Sequence, residues 1–101
     1  MITVTMEMPL KPGTRDQFEP DMALALKDTA TRPGFRSIRM LRPNRGEDKV
    51  MFIEEWDSYE DYKAYLAWRS DGNGIQAVDD CIGGKPIVQI WGHVIASETA
   101  G

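Results

Sequence analysis

The sequence has one cysteine, one histidine and no long apolar run. A single cysteine excludes an internal disulfide, and Cys81 with His93 supplies too few ligands for a zinc or iron site. No apolar stretch approaches the roughly 20 residues that cross a bilayer, so we expect no contact with a membrane. The N-terminal segment lacks the basic region and the small-residue cleavage site of a signal peptide, which predicts a protein of the cytoplasm.

The sequence has fewer basic than acidic residues. It contains 12 Lys and Arg and 16 Asp and Glu, which gives a formal net charge of −4. The basic residues are dispersed among acids, so no patch attracts a phosphate backbone and nucleic acid is not an expected partner. The 42% hydrophobic and 28% charged content is ordinary for a globular protein, and 101 residues suffice for one modest core. We predict a single domain over residues 1–101, with a frayed tail from about residue 96.

Strand-like and helix-like hydrophobic patterns alternate along the chain. In order, they predict strand 2–9, helix 14–31, strand 35–42, strand 48–57, helix 58–70, short helix 75–82 and strand 85–95. Capping-box patterns at Thr14 and Ser58 mark the starts of the two long helices. Pro20 has no N–H, so we expect it to kink the first helix or to delay its start to about residue 19.

The element order strand, helix, strand, strand, helix, strand is that of the ferredoxin-like split βαβ fold, an α+β architecture. It predicts a four-stranded antiparallel sheet with both long helices on one face. The other face is left uncovered, although each strand has apolar residues on both of its sides. The simplest cover in so short a chain is a second copy, so we expect a homodimer in which two sheets pair face to face.

Sorting the strand residues by alternation gives two sets. The aliphatic set is Ile38, Met40, Met51, Ile53, Val88, Ile90 and Val94. The mixed set is Arg39, Phe52, Glu54, Trp56, Gln89, Trp91 and His93. Because the mixed set combines aromatic rings with a few polar groups, as small-molecule pockets do, we expect its members to share one face of the sheet.

The second long helix carries three tyrosines. On a helical wheel, the stripe that faces the sheet is predicted to hold Tyr59, Tyr62 and Leu66. Tyr65 and Arg69 lie on the flank of this stripe, and Trp68 lies on the far side. A buried tyrosine needs a partner for its hydroxyl, so this stripe is expected to meet polar groups of the sheet.

Two residues of the mixed set can accept protons. Glu54, walled by aromatic rings, is poorly solvated, so its pKa should rise towards the range in which a carboxylate exchanges protons with a phenol. Histidine is the usual general base near neutral pH, which makes His93 the alternative. A structural interpretation stays open, in which the aromatic residues are core and Glu54 bonds to a tyrosine hydroxyl or to Arg39.

Three stretches, KPGTRDQF, RPGF and EEWDSYEDYKAYL, resemble the antibiotic biosynthesis monooxygenase (ABM) family of dimeric α+β barrels. The resemblance covers residues 3–95, and its most specific part is Glu-x-Trp-x-Ser-x-Glu, matched by Glu54, Trp56, Ser58 and Glu60. Members oxidise phenols or quinols to quinones with O₂, without metal or flavin. The resemblance implies that Trp56 and Tyr62 contact a small aromatic substrate. Arg39 and Arg69 are substrate-binding candidates from the strand and helix patterns alone.

Departures from the family pattern bear on cofactors. Tyr65 stands where many members have a histidine. Haem-degrading relatives have a tryptophan at that helix position, a histidine ligand further along and an asparagine in the first strand. This chain has Tyr65, Ile75 and no asparagine at those places, so the resemblance implies no haem.

The prediction for function is a cofactor-independent monooxygenase acting on a small aromatic phenol or quinol. Phe52, Trp91 and Tyr65 join Trp56 and Tyr62 as predicted walls of its pocket. Two alternatives stay open, because folds do not determine function. One is an accessory dimer that binds a small molecule without turnover, and the other is an isomerase or cyclase on the same fold.

Overall fold

A computed structural model describes all 101 residues. Its elements are β1 (Ile2–Pro9), α1 (Arg15–Thr29), β2 (Phe35–Leu41), β3 (Lys49–Trp56), α2 (Tyr59–Ser70), α3 (Gln76–Asp79) and β4 (Ile87–Trp91). The strands form one antiparallel sheet in the order β2–β3–β1–β4. The predicted ferredoxin-like α+β fold is therefore confirmed, with α3 and β4 shorter than predicted. None of the helices has the length and apolarity needed to span a bilayer.

The starts of the two long helices were predicted with different success. Helix α1 begins at Arg15 and runs through Pro20, so the delayed start was wrong. Pro20 removes only the hydrogen bond to the carbonyl of Asp16, and both residues are exposed, so water can satisfy that carbonyl. Thr14 makes no capping hydrogen bond. Helix α2 begins as predicted, because Ser58 Oγ accepts the backbone N–H of Asp61 at 3.1 Å.

Both long helices pack against one face of the sheet, here called the helix-covered face. Phe18 of α1 packs with residues of β1 and β3 that include Phe52. Tyr62 of α2 packs with Trp56 and with the first strand. Burial alternates along β3, where the buried residues are Val50, Phe52, Glu54 and Trp56. Both long helices therefore pack on β3.

The register of the strands divides the predicted mixed set between the two faces. Residues directly opposite one another in an antiparallel pair share a face. The helix-covered face holds Phe52, Glu54 and Trp56 with Ile38, Met40, Val88 and Ile90. The other side of the sheet, here called the open face, holds Arg39, Gln89 and Trp91 with Met51 and Ile53. The predicted grouping was wrong because alternation within a strand does not fix its phase against its neighbours when both sides carry apolar residues.

Candidate functional site

A cavity of about 410 Å³ lies between the helix-covered face and the helices. Its apolar walls are Met6, Met8, Met22, Leu66, Ile75, Val78 and Ile82. Its polar groups include Tyr65, Arg69, Ser70 and Asp79. The volume, and the few polar groups among apolar ones, are those of pockets that bind small molecules. This cavity is therefore the candidate site.

A second hollow, of about 400 Å³, lies at the β2–β3 end of the sheet. Charged side chains dominate its lining: Glu7, Arg42, Arg45, Glu47 and Lys49. Lys49 Nζ forms an ion pair with Glu7 Oε1 at 3.1 Å, and both side chains are partly exposed. Lys49 also pairs with Glu47. Because half of its lining residues are charged, this hollow is less suited to an aromatic ring than the first cavity and is not the candidate site.

The polar wall of the cavity is a hydrogen-bond network centred on the Arg69 guanidinium. Its Nε donates to Tyr65 Oη at 3.2 Å, and its Nη1 donates to the carbonyl of Asn73 at 3.0 Å. Its Nη2 donates to the Ala25 carbonyl at 3.0 Å and to Thr29 Oγ1 at 2.9 Å. None of the ion pairs in the structure includes Arg69. The wall therefore presents a positive charge held by neutral oxygens, beside a tyrosine hydroxyl.

Behind Tyr65 lies an aromatic cluster, made of Phe35, Trp56, Tyr62, Tyr65 and Trp68. Trp56 at its centre has no exposed surface. Its ring centroid lies 5.0 Å from that of Tyr65 and 5.9 Å from that of Tyr62. Phe35 meets the same indole edge-on at 5.4 Å. Trp56 and Tyr62 therefore fill the core behind the cavity wall, where such ring pairs add stability beyond burial.

Helix α2 is rotated relative to the predicted wheel. Tyr62 is buried, but Tyr59 and Leu66 are 45% and 44% exposed. Tyr65, predicted on the flank, packs against Trp56 and lines the cavity. In this orientation the rings of Tyr62 and Tyr65 both pack on the indole of Trp56.

Trp68 is half-buried, where the wheel placed it on the far side of the helix. Its ring stacks on Tyr65 with centroids 6.3 Å apart. The guanidinium carbons of Arg32 and Arg69 lie 4.5 and 4.8 Å from the centroid of the indole. The buried Nε of Arg32 has no hydrogen-bond partner in the protein. Cation–π contacts with Trp68 therefore join the end of α1 to α2 behind the cavity.

Glu54 is a carboxylate buried in the sheet beside Trp56. Its Oε1 accepts the Trp56 Nε1–H at 3.1 Å, so the predicted partners, a tyrosine hydroxyl or Arg39, were wrong. Burial raises the pKa of Glu54, as predicted, and the hydrogen bond from Trp56 opposes part of that rise. Burial also raises the pKa of Tyr62, and the negative charge of Glu54 adds to the effect. Glu54 does not line the cavity and lies deeper in the core.

Seven of the nine predicted site residues do not line the cavity. Phe52, Glu54, Trp56 and Tyr62 are buried in the core behind it, and the other three lie elsewhere. Arg39 and Trp91 are on the open face, where Trp91 Nε1 donates to Thr5 Oγ1 at 3.0 Å. His93 is exposed and lies two residues beyond the end of β4, so its predicted place on the last strand was wrong. The cavity thus brings together Tyr65 and Arg69 from the predicted set.

Two residues of the site were not singled out from the sequence. Thr29 is fully buried and bonded to Arg69. Its signal was a hydroxyl in the apolar stripe of the first helix, where a buried polar group needs a partner. Asp79 lines the cavity, but an acid near the end of a short helix carries no comparable signal.

Comparisons with known proteins give a family from the sequence and a fold from solved structures. The sequence profile of the family described as antibiotic biosynthesis monooxygenase matches residues 1–70. No curated protein sequence matches the chain.

The solved structures that resemble the chain share its fold at low identity. SnoaB, a cofactor-independent oxygenase from Streptomyces nogalater, has a TM-score of 0.77 and 18% identity over 97% of this chain and 94% of that chain. A structure described as an antibiotic biosynthesis monooxygenase has a TM-score of 0.79 and 17% identity over 93% of this chain and 99% of that chain. A conserved protein from Methanosarcina mazei Go1 has a TM-score of 0.76 and 13% identity over 89% of each chain.

Proposed function

Because this chain belongs to the antibiotic biosynthesis monooxygenase family, we propose that it oxidises a small aromatic phenol or quinol with O₂ and without a cofactor. The observation that carries the proposal is the cavity of about 410 Å³, which is lined by Tyr65 and Arg69 among methionine and aliphatic side chains. Arg69 forms no ion pair. The description of one structural neighbour as a cofactor-independent oxygenase supports it. Ile75 also lines the cavity, and its side chain has no atom that can ligate haem iron.

The proposed reaction of a phenol balances without an added reductant. One oxygen atom of O₂ bonds to the ring carbon para to the hydroxyl. The other oxygen leaves as water with the hydrogen of that carbon and the hydrogen of the hydroxyl, and the product is a quinone. A quinol instead gives its two hydroxyl hydrogens and two electrons to O₂, which leaves as hydrogen peroxide, and the product is again a quinone. The substrate anion supplies the electrons, so the site has to stabilise an anionic oxygen and exclude bulk water. Arg69 supplies the positive charge for the first task, and the methionine walls serve the second.

Glu54 and His93 are the proposed proton acceptors. Neither lines the cavity of its own chain, so in the proposal a proton reaches either residue through an intervening group. Phe52, Trp56 and Tyr62 act on the ligand indirectly, because the ring of Trp56 supports Tyr65. Arg39 and Trp91 can approach a ligand only if copies pair through the open face, and their roles stay predictions.

Oxygen uptake tests the proposal. In buffer freed of metal and flavin, we expect uptake with a hydroquinone or a naphthol, measured with an oxygen electrode. The variant Arg69→Met should lose about 10²-fold in kcat/KM, the usual effect of removing one group that stabilises an oxyanion. Lys63→Met is the matched control, since Lys63 is exposed on the same helix and outside the cavity. Equal rates for Arg69→Met and the wild type would contradict the proposal.

Two outcomes of the same assay would favour the alternatives. Binding of an aromatic ligand with quenching of tryptophan fluorescence, but without O₂ uptake, indicates an accessory binding protein. A product formed under anaerobic conditions indicates an isomerase or cyclase. The variant His93→Gln separates the two proposed proton acceptors, because it leaves Glu54 in place.

We also propose that the functional unit is a homodimer in the cytoplasm, paired through the open face. Apolar side chains lie exposed or half-exposed on this face: Leu41, Met51, Ile53, Ile87 and Trp91. Burying such a patch against a second copy removes apolar surface from water.

Ile53→Lys is expected to convert the dimer to a monomer, because it places a charge inside the buried patch. Molar mass from light scattering after size exclusion measures the change. Leu24→Lys is the control, since Leu24 is exposed on α1, on the other side of the molecule. A wild type of monomer mass at micromolar concentration, or a dimer that survives Ile53→Lys, would reject this pairing.

A further inference from the structure

We infer that the Tyr65 hydroxyl donates a hydrogen bond into the cavity to an anionic oxygen of the ligand, and that Thr29 is the positioning residue that makes it do so. The inference rests on the proposed function only for the class of ligand, a phenolate. It assigns a role to Thr29, which is buried and does not line the cavity. It also specifies that the Tyr65 hydroxyl acts as a hydrogen-bond donor towards the ligand.

Thr29 is enclosed by other groups of the protein. The residue has no exposed surface on α1. Its Oγ1 lies 2.9 Å from Arg69 Nη2, 3.1 Å from Tyr65 Oη and 3.4 Å from the carbonyl oxygen of Ala25. Tyr65 Oη in turn lies 3.2 Å from Arg69 Nε. The Thr29 hydroxyl, the Tyr65 phenol and the Arg69 guanidinium therefore form one hydrogen-bond network.

The direction of each hydrogen bond follows from what each group can donate. Arg69 only donates, and the two hydrogens of its Nη2 go to Thr29 Oγ1 and to the Ala25 carbonyl. That carbonyl also accepts the backbone N–H of Thr29, as in any helix, so both of its lone pairs are occupied. The hydrogen of the Thr29 hydroxyl can reach two acceptors, the Ala25 carbonyl at 3.4 Å and Tyr65 Oη at 3.1 Å. We assign it to Tyr65 Oη, because that contact is shorter and the carbonyl already accepts two hydrogen bonds.

Tyr65 Oη therefore accepts two hydrogen bonds, from Arg69 Nε and from Thr29 Oγ1. Its own hydrogen then has no acceptor within this network, and the side chain borders the cavity. Two donors on the phenol oxygen polarise its O–H bond and strengthen the bond that it donates. A hydrogen bond to an ionised oxygen is about twice as strong as one between neutral groups, so the hydroxyl selects a phenolate over a phenol.

Two charged groups line the cavity and have opposite effects on the affinity for an anion. Arg69 favours an anion, and Asp79 of α3 opposes one. Removing the Thr29 hydroxyl changes neither charge. A loss of anion selectivity in a Thr29 variant can therefore be assigned to the hydrogen bond from Thr29 to Tyr65, which polarises the tyrosine O–H bond.

The probe is 4-nitrophenol, whose neutral and ionised forms absorb at different wavelengths. We expect the wild-type protein to hold it as the phenolate at a pH where the free probe is mostly neutral. Thr29→Val keeps the shape of the side chain and removes the hydroxyl, so it should reduce the preference for the phenolate about tenfold, a shift of one unit in the apparent pKa of the bound probe. Thr29→Ser keeps the hydroxyl and should behave as the wild type.

The outcomes are distinct from those of the oxygen assay, because 4-nitrophenol binding needs no turnover. A wild type that binds the neutral form, one that fails to bind the probe, or a Thr29→Val variant with unchanged preference would overturn the inference. If Thr29→Val does not fold, as judged by circular dichroism, Tyr65→Phe provides the second test and should show the same tenfold loss. Retained selectivity together with no O₂ uptake would reject the monooxygenase and leave the inference standing.

Discussion

Replacing Trp56 with alanine is expected to lower the free energy of unfolding by about 3–5 kcal/mol, the usual cost of removing a buried indole. Trp56 has no exposed surface, and three other rings pack on it. Its loss leaves a void on the helix-covered face and removes the only hydrogen bond to the carboxylate of Glu54. For a domain of 101 residues such a change lowers the melting temperature by more than about 10 °C.

Chemical unfolding in urea measures this change. Tyr59→Ala is the matched control, because Tyr59 is an exposed aromatic residue on α2 whose ring makes a cation–π contact with Lys63. We expect it to cost at most about 1 kcal/mol. If Trp56→Ala lowered the free energy of unfolding as little as Tyr59→Ala, Trp56 would not be the centre of the core. Trp56→Phe should lie between the two, since it keeps a ring and loses the Nε1–H donor.

Replacing Glu54 with glutamine is expected to stabilise the protein relative to the wild type by an amount that grows as the pH rises. Burial raises the pKa of Glu54 in the folded state above the ordinary value of 4.5. The folded protein therefore binds the proton more tightly than the unfolded chain does. This stabilisation is complete below the unfolded pKa and is lost as the pH rises through the folded pKa. Glutamine cannot ionise, so above that range it avoids the cost of a buried charge, which is several kcal/mol for an unpaired ion.

The measurement is the difference in unfolding free energy between Glu54→Gln and the wild type at several pH values between about 4 and 8. Comparing two proteins at each pH cancels the other groups, including Glu19, whose pKa is lowered by Arg42. Glu55→Gln is the control, because Glu55 is the next residue and lies on the open face, within 3.4 Å of Ser37 Oγ. A Glu54 difference that stays constant, or that grows as the pH falls, would show that the carboxylate has a stabilising partner when ionised.

The order of the elements and the fold could be predicted from local patterns. Ser58 with Asp61 marked the start of α2, and the period of two marked β1 and β3, because these signals depend on neighbours in sequence. Pro20 misled the prediction for α1, because the cost of one missing hydrogen bond depends on whether water reaches the freed carbonyl. That exposure belongs to the fold and cannot be read from the helix alone.

The faces of the sheet could not be predicted, and the site depends on them. Arg39 and Trp91 were grouped with Glu54, yet the register places them on opposite sides of the sheet. A shift of one residue exchanges the two faces of a strand, and strands that are apolar on both sides give no local signal against that shift. The register is decided by pairing with strands that are distant in the sequence.

The candidate site was predicted in part. Tyr65 and Arg69 were named as flanking residues, and the structure puts both in the cavity wall. Trp56 was expected to touch the ligand, and it packs behind Tyr65 instead. Which ring lines the cavity depends on the rotation of α2 about its axis. A helical wheel does not contain that rotation, because it includes no partner surface.

The central claim is that the cavity beside Tyr65 and Arg69 holds an aromatic ligand through its anionic oxygen. A crystal structure of the protein soaked with 4-nitrophenol tests this claim directly. We expect density for the ring among the methionine side chains, with the phenolate oxygen within hydrogen-bond distance of Tyr65 Oη. A ligand bound on the open face or in the β2–β3 hollow, with this cavity empty, would contradict it.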